Sequence, residues 1–145
     1  MSRVYLDNCC FNRPFDDQIQ TRVVLETQAK LRIQQMILDG RLELVWSFIL
    51  EYENDQNPSD ERRIRIGSWR ALARMTCDLT DGIRLVSSEL MAKGFKQKDA
   101  LHLACAIAAG ADCLITTDAG ILNKTVAGIR ILNPVVFVIE TEGTQ

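Results

Sequence analysis

Acidic residues stand directly after two apolar segments of the chain. Asp7 follows residues 4–6, and Asp118 follows residues 113–117, which are apolar or β-branched. Such runs are typical of buried strands, and the carboxyl ends of parallel strands form the edge of a sheet where ligands bind. We therefore expect both carboxylates at one candidate site, although aspartate also follows strands simply because it favours turns and caps.

Three further acidic residues are candidates for the same site. Asp99 lies where the chain enters an apolar helix, so an N-cap is the plain alternative reading. Glu51 and Glu53 follow Ser47, whose hydroxyl can cap a helix that begins after the second strand. Helical residues two apart point about 200° away from each other at ~100° per residue. At most one of these glutamates should therefore face the site.

A cluster of carboxylates predicts a site for a hard divalent cation. Carboxylates repel one another unless something neutralises them, and Mg²⁺ or Mn²⁺ does so through oxygen ligands. Such ions activate water and stabilise the charge that develops on a phosphoryl group. The five cysteines contain no C-x-x-C pair, so neither a disulfide framework nor a zinc ribbon is indicated.

Histidine and basic residues lie close to Asp7 or Asp99 in the sequence. His102, the only histidine, follows it by three residues and shares its helix face. A lone histidine in an apolar helix is more often structural than catalytic, so we predict that His102 supports the site without joining the catalytic set. The net charge of −2 does not attract phosphate, so nucleic-acid binding would depend on local basic residues such as Lys96, Lys98 and Arg13.

Alternating strands and helices must position these residues. Strands are predicted at residues 4–6, 42–46, 113–117, 129–132 and 135–139, and a loop at residues 8–15 because of Pro14. Helices are predicted at residues 17–39, from Ser47 to a break near Pro58, from 59 or 60 to 75, and at 81–93 and 100–109. Such alternation predicts an α/β fold with a parallel sheet covered on both faces.

Length and composition favour a single domain over residues 1–145. Hydrophobic residues make up 47% and charged residues 25%, which is the balance of a folded globule. No apolar run approaches the roughly 18 residues that cross a bilayer, and the first residues lack the apolar stretch of a signal peptide. We therefore expect a cytoplasmic protein.

Four segments in order resemble the PIN-domain family, which includes the VapC-type toxins of toxin–antitoxin pairs. They are Val-Tyr-Leu-Asp at 4–7, Leu-Val-Trp-Ser at 44–47 followed by a helical glutamate, Asp-Ala-Leu-His-Leu-Ala at 99–104 and Leu-Ile-Thr-Thr-Asp at 114–118. The resemblance spans nearly the whole chain and implies a PIN-like three-layer α/β/α sandwich with a mostly parallel sheet. One departure is Asn8-Cys9-Cys10 after Asp7, where many VapC-type toxins have threonine and asparagine.

This resemblance implies a Mg²⁺- or Mn²⁺-dependent endoribonuclease. Its catalytic and metal-binding residues would be Asp7, Glu53, Asp99 and Asp118. Glu53 lies six residues beyond Ser47, which is the family's usual spacing, and Glu51 is the alternative. The resemblance also implies RNA as the substrate, a homodimer and, for a toxin, an antitoxin partner.

Two rival functions use the same acidic residues. A receiver-like signalling domain also gathers aspartates at strand ends, but it needs a lysine at the end of a late strand, and no lysine occurs between Lys98 and Lys124. A catalytically silent PIN-like scaffold that binds RNA or protein would keep the whole pattern. Only a test for activity separates that scaffold from a nuclease.

Overall fold

A single parallel sheet lies at the centre of the computed structural model, which describes residues 2–143. Within that range the sheet has five strands in the order β3-β2-β1-β4-β5. Their bounds are Ser2–Leu6 (β1), Leu42–Ser47 (β2), Met75–Cys77 (β3), Cys113–Ile115 (β4) and Arg130–Leu132 (β5). Every neighbouring pair is parallel, which confirms the predicted α/β class.

Helices flank this sheet. They are α1 (Asn8–Asn12), α2 (Thr21–Leu38), α3 (Phe48–Asp55), α4 (Asp60–Gly67), α5 (Asp81–Ala92), α6 (Gln97–Ala108), α7 (Ala119–Leu122) and α8 (Pro134–Gly143), with 3-10 turns at Arg13–Phe15 and Ser68–Leu72. Helix α5 packs against α6, and α2 packs against α8. The chain adds β2 and β3 on one side of β1 and then β4 and β5 on the other. Because parallel crossovers are almost always right-handed, this reversal puts the α5–α6 pair and the α2–α8 pair on opposite faces of the sheet. No helix in this part of the chain has the length and apolarity to cross a membrane.

The strand register brings the predicted acidic residues to one edge. Leu6 pairs with Ile115, and Tyr5 pairs with both Val45 and Leu114. Strands β1, β2 and β4 are fully or almost fully buried over these positions, as expected for a parallel sheet covered on both faces. The residues that follow these strands therefore emerge side by side, and Asp7 is one of them.

The predicted loop at residues 8–15 is wrong. These residues form α1 and a 3-10 turn, because the Asp7 side chain accepts a hydrogen bond from the Asn8 backbone N–H and caps the helix. Phe11 on α1 is fully buried. Pro14 does not break the turn, since it stands near its start, where a missing N–H costs nothing.

The predicted helix that continues to residue 75 is also wrong. Helix α4 ends at Gly67, a 3-10 turn follows, and Met75 begins strand β3. Strand β3 pairs with β2 through Val45 and Met75. It escaped prediction because Met75 and Thr76 are exposed at the sheet edge, so the strand lacks a buried apolar run.

The last predicted strand, residues 135–139, is a helix. Pro134 is the first residue of α8, where its fixed φ favours helix. The Asn133 side chain accepts a hydrogen bond from the Val135 backbone N–H. Phe137 is buried whereas Ile139 is 65% exposed, so only one face of this apolar segment packs. Its β-branched residues suggested a strand, but tertiary packing overrides that propensity.

Candidate metal centre

Asp7 is held rigidly at the end of the central strand. Its backbone N–H donates to the Ile115 carbonyl at 2.9 Å. One carboxylate oxygen accepts from the Asn8 N–H at 2.8 Å, and the other accepts from the Thr116 hydroxyl at 2.9 Å. Asp7 is only 6% exposed. Its orientation is therefore fixed by the ends of two neighbouring strands.

Helix α3 delivers Glu53 to the same edge. Ser47 caps this helix as predicted, its hydroxyl accepting from the Leu50 N–H at 3.2 Å. The Glu53 carboxylate is hydrogen-bonded to Nε2 of His102. Glu51 lies on another side of the helix, where it accepts from the Trp46 indole N–H at 2.7 Å. The structure thus brings Glu53, and not Glu51, towards Asp7.

His102 is fixed between the sheet and Glu53. The Tyr5 hydroxyl lies 2.6 Å from His102 Nδ1 and 2.6 Å from the Ser47 hydroxyl. Nε2 faces Glu53 and lies 3.5 Å from a carboxylate oxygen of Asp7. Burial alone would lower the pKa of His102, but the hydrogen bond to Glu53 and the charges of Asp7, Glu53 and Asp99 raise it above its ordinary value.

Asp7, Glu53 and His102 form a close group. One ligand atom from each lies within 4.8 Å of the other two. Within residues 2–143, no group of this compactness includes Asp99 or Asp118. These two aspartates therefore stand farther from the centre of the group.

Asp99 nevertheless interacts with the group through its charge. It lies in the first turn of α6, whose N-cap is Lys96, so the reading of Asp99 as the N-cap is wrong. Burial raises the pKa of the half-buried Asp99, as do the charges of Asp7 and Asp118, against the opposing effects of His102 and Lys96. Asp99 is therefore close enough to both aspartates for their charges to repel.

Asp118 is exposed and caps α7. Its side chain accepts from the Gly120 N–H at 2.8 Å. Its own N–H donates to the Thr116 hydroxyl at 3.1 Å, and that hydroxyl in turn donates to Asp7. One threonine thus connects the backbone of Asp118 to the carboxylate of Asp7.

The base that contacts these four acids is His102, which lies against Asp7 and Glu53. Among residues 2–143, no lysine or arginine lies within ion-pair distance of Asp7, Glu53, Asp99 or Asp118. Carboxylates gathered in this way repel one another unless a cation joins them. Carboxylate oxygens are the donors that Mg²⁺ and Mn²⁺ prefer, so the residues present fit such an ion.

Two contributors to this geometry were not predicted from the sequence. Tyr5 was interpreted as part of a buried strand, and its hydroxyl between Ser47 and His102 was not anticipated. A buried tyrosine almost always requires a hydrogen-bond partner, which was the available signal. Cys9 lies with its sulfur 3.5 Å from an Asp7 oxygen and 3.4 Å from the Thr116 hydroxyl, and no sequence pattern indicates this position.

Comparison with known proteins finds similarity only at the level of structure. No protein-family model and no curated protein sequence matches the chain. Among solved structures, VapBC2 from Rickettsia felis bound to a DNA fragment from its promoter is 15% identical, with a TM-score of 0.57 over 90% of this chain and 98% of that one.

Two further solved structures have a similar fold over most of this chain. DNA-bound VapBC from Salmonella typhimurium is 15% identical, with a TM-score of 0.58 over 92% of this chain and 99% of that one. VapBC-1 from nontypeable Haemophilus influenzae is 16% identical, with a TM-score of 0.61 over 91% and 98%. At such low identity the likeness establishes a shared fold. The chain therefore has the PIN-like fold of these VapBC proteins, as its sequence motifs predicted.

Proposed function

We propose that this protein is a Mg²⁺- or Mn²⁺-dependent endoribonuclease with Asp7, Glu53, Asp99 and Asp118 as its catalytic and metal-binding residues. The observation that carries the proposal is the convergence of buried and half-buried carboxylates with His102 beside two of them and no lysine or arginine at ion-pair distance among residues 2–143. Purely structural carboxylates are normally paired within the protein. A site that gathers them without lysine or arginine is suited to an external cation.

The surrounding residues hold this site in a defined shape. Asn8 and Thr116 orient the Asp7 carboxylate. His102 orients Glu53 through Nε2, and the Tyr5 hydroxyl contacts Nδ1 on the other side of the imidazole ring. A bound divalent cation would supply Lewis-acid stabilisation of the charge that develops on the phosphoryl oxygens. In the hydrolysis that we propose, water adds to phosphorus and the bond to the 3′ oxygen breaks, which leaves a 3′-hydroxyl and a 5′-phosphate.

A polar cavity beside Glu53 is a suitable place for the nucleic-acid strand. It has a volume of about 590 Å³, and its lining includes Asn8, Asn12, Asn57 and Arg62. Carboxamides pair with the edges of bases, and arginine contacts phosphate. Lys96, whose charge acts on Asp99, can add a phosphate contact.

The VapBC neighbours support a more specific role as the toxin of a toxin–antitoxin pair. We propose that residues 1–145 act as one domain in the cytoplasm, that two copies form a homodimer, and that a small antitoxin protein restrains the activity. The support is the shared fold with VapBC structures, two of which contain DNA.

Cleavage of a labelled single-stranded RNA tests the proposal. We expect wild-type protein to cut in the presence of Mn²⁺ or Mg²⁺, to stop when the metal is chelated, and to lose cleavage in both Asp7→Asn and Asp99→Asn. Asp55→Asn is the matched control, because Asp55 is exposed at the end of α3. Robust cutting by either site variant would remove that residue from the mechanism.

The scaffold alternative is decided by the same experiment. If pure, folded wild-type protein cuts none of several RNAs with either metal, the nuclease proposal fails. A binding measurement with the same RNAs would then identify a protein that holds RNA without cutting it.

A further inference from the structure

A second cavity lies away from the acidic residues, between α2, α4 and the two 3-10 turns. It has a volume of about 470 Å³, and its apolar walls include Phe11, Phe15, Leu31 and Trp69. The charged residues that line it are Lys30 and Arg65, and no acidic residue lines it. This volume falls in the range of small-molecule sites. The cavity is therefore large enough for a ligand and carries charge of one sign.

Lys30 is a buried cation without a counterion. It is 2% exposed, and within residues 2–143 it has neither a hydrogen bond nor an ion pair. Its ammonium lies 5.2 Å from the centre of the Phe11 ring and 5.4 Å from that of Trp69. Ring faces stabilise a cation only partly, whereas an unpaired buried charge is costly. The amine therefore lacks the partner that its burial calls for.

Arg65, the other cation that lines this cavity, is exposed and has an acidic partner. Arg65 lies 3.5 Å from Glu61 one helical turn earlier, and both side chains are about two-thirds exposed or more. Its charge is compensated by Glu61 and by water. Burial lowers the pKa of Lys30 to about 7 from its ordinary value of 10.5, in spite of an opposing effect from Cys10. Of the two cations that line the cavity, Lys30 is therefore the one whose charge lacks a negative partner among residues 2–143.

We propose that this cavity binds a small monocarboxylate with an apolar tail, whose carboxylate pairs with the Lys30 ammonium. The tail would lie against Phe15, Leu31 and Leu72, of which the two leucines are each 47% exposed. Charge complementarity selects an acid over a neutral lipid or alcohol. A slender ligand is favoured because the amine is almost fully buried beside the rings of Phe11 and Trp69. This inference does not depend on the nuclease proposal, since it involves none of the four acids.

Calorimetric titration with octanoate and with 1-octanol tests the proposal. We expect the wild-type protein to bind octanoate more tightly than the alcohol. Lys30→Met keeps the length and apolar stem of the side chain but removes the charge. It should weaken octanoate binding by about 10- to 100-fold, the range for a lost charged hydrogen bond, and leave octanol binding nearly unchanged.

Two further variants complete the design. Lys93→Met removes a charge from an exposed position outside the cavity and should leave both affinities at the wild-type level. Lys30→Gln provides a second neutral side chain if Lys30→Met does not fold. Equal binding of acid and alcohol by the wild type, unchanged octanoate affinity in the Lys30 variants, or binding of an acidic peptide without any binding of octanoate would each overturn the proposal.

Discussion

Two buried carboxylates of this protein, Glu26 and Asp7, have opposite surroundings. Glu26 on α2 is 1% exposed, and it accepts from the Asn133 amide at 2.6 Å. Arg13 lies 2.9 Å from one of its oxygens and Arg22 lies 3.4 Å from the other. We call these four residues the Glu26 cluster. Asp7 is similarly buried but has neighbours that are acids, a threonine and a histidine.

The difference separates a carboxylate that the chain neutralises itself from one that, in our proposal, binds a cation. In the Glu26 cluster the chain supplies its own positive charge, so the site has no need of an ion. At the acidic edge the chain supplies negative charge from four segments and no lysine or arginine at ion-pair distance within residues 2–143. Burial alone therefore does not distinguish these two acids; the charges of their neighbours do.

The largest expected effect is the loss of the Glu26 charge. Glu26→Ala should lower the free energy of unfolding by about 3–5 kcal/mol, because it removes a buried carboxylate that both Arg13 and Asn133 contact, at about 1.5–3 kcal/mol for each contact to a charged group. Urea denaturation measures this change. Glu142→Ala is the matched control, because Glu142 pairs with Arg32 at 2.9 Å on the surface, and it should cost less than about 1 kcal/mol. Equal effects of the two substitutions would contradict the assignment of Glu26 as structural.

A pair of neutral variants on α3 sharpens the comparison at the acidic edge. Glu53→Gln should reduce metal-dependent cleavage by about 100-fold, which is roughly 2.7 kcal/mol of barrier, because it removes a ligand charge. Glu51→Gln should cleave at close to the wild-type rate, since Glu51 contacts Trp46 and Arg70 instead. Single-turnover cleavage of labelled RNA gives both rates. A larger loss for Glu51→Gln would mean that the other glutamate serves the site.

Lys30 extends the comparison to an uncompensated charge of the opposite sign. Its pKa is about 7 in the folded protein and 10.5 ordinarily, so the unfolded chain binds more protons between these values. The free energy of unfolding should therefore rise with pH through this window, by roughly 2 kcal/mol between pH 7 and 9. The destabilisation is fully present below pH 7 and disappears above the ordinary pKa.

Denaturation as a function of pH checks this prediction against Lys30→Met. The variant carries no titrating group at this position, so its stability should lack the rise between pH 7 and 9. Lys93→Met, the exposed control, should keep the wild-type slope. An identical slope in all three proteins would show that another group titrates there.

The smallest expected effect is stabilisation by the metal itself. At a Mn²⁺ concentration tenfold above its dissociation constant, the wild type should gain about 1.4 kcal/mol of unfolding free energy. Asp7→Asn should gain much less, and Glu142→Ala should gain as much as the wild type. Thermal unfolding with and without Mn²⁺ measures these gains. An undiminished gain in Asp7→Asn would place the ion elsewhere.

Sequence patterns predicted the parts of the fold whose signals are local. Residues 4–6 and 113–115 are continuous buried runs, so both strands were predicted, although β4 ends at Ile115 and not at Thr117. Strand β3 was missed because an exposed edge strand carries no such run. Part of helix α8 was predicted as a strand because residues 135–139 are all apolar, so the sequence does not show which face of the segment packs on α2.

The site was predictable as a set of residue types but not as a set of contacts. Glu53 and His102 are 49 positions apart, and their hydrogen bond depends on how α3 and α6 pack. Helix geometry predicted that only one of Glu51 and Glu53 faces the site. The preference for Glu53 came from the spacing that the family resemblance implies, because the sequence alone does not give the rotation of α3 about its axis. The pairing of Glu26 with two arginines likewise depends on tertiary approach.

The hydroxyl of Tyr5 has a consequence for anyone who would transplant this site. A single phenol on the central strand contacts both Ser47, which caps α3, and His102, which orients Glu53 from α6. Copying the four acids onto another scaffold would carry over the charges but not the angle between the helices that hold them. A graft that keeps the geometry must include the tyrosine, because its hydroxyl contacts residues on both sides of the site and so aligns α3 with α6.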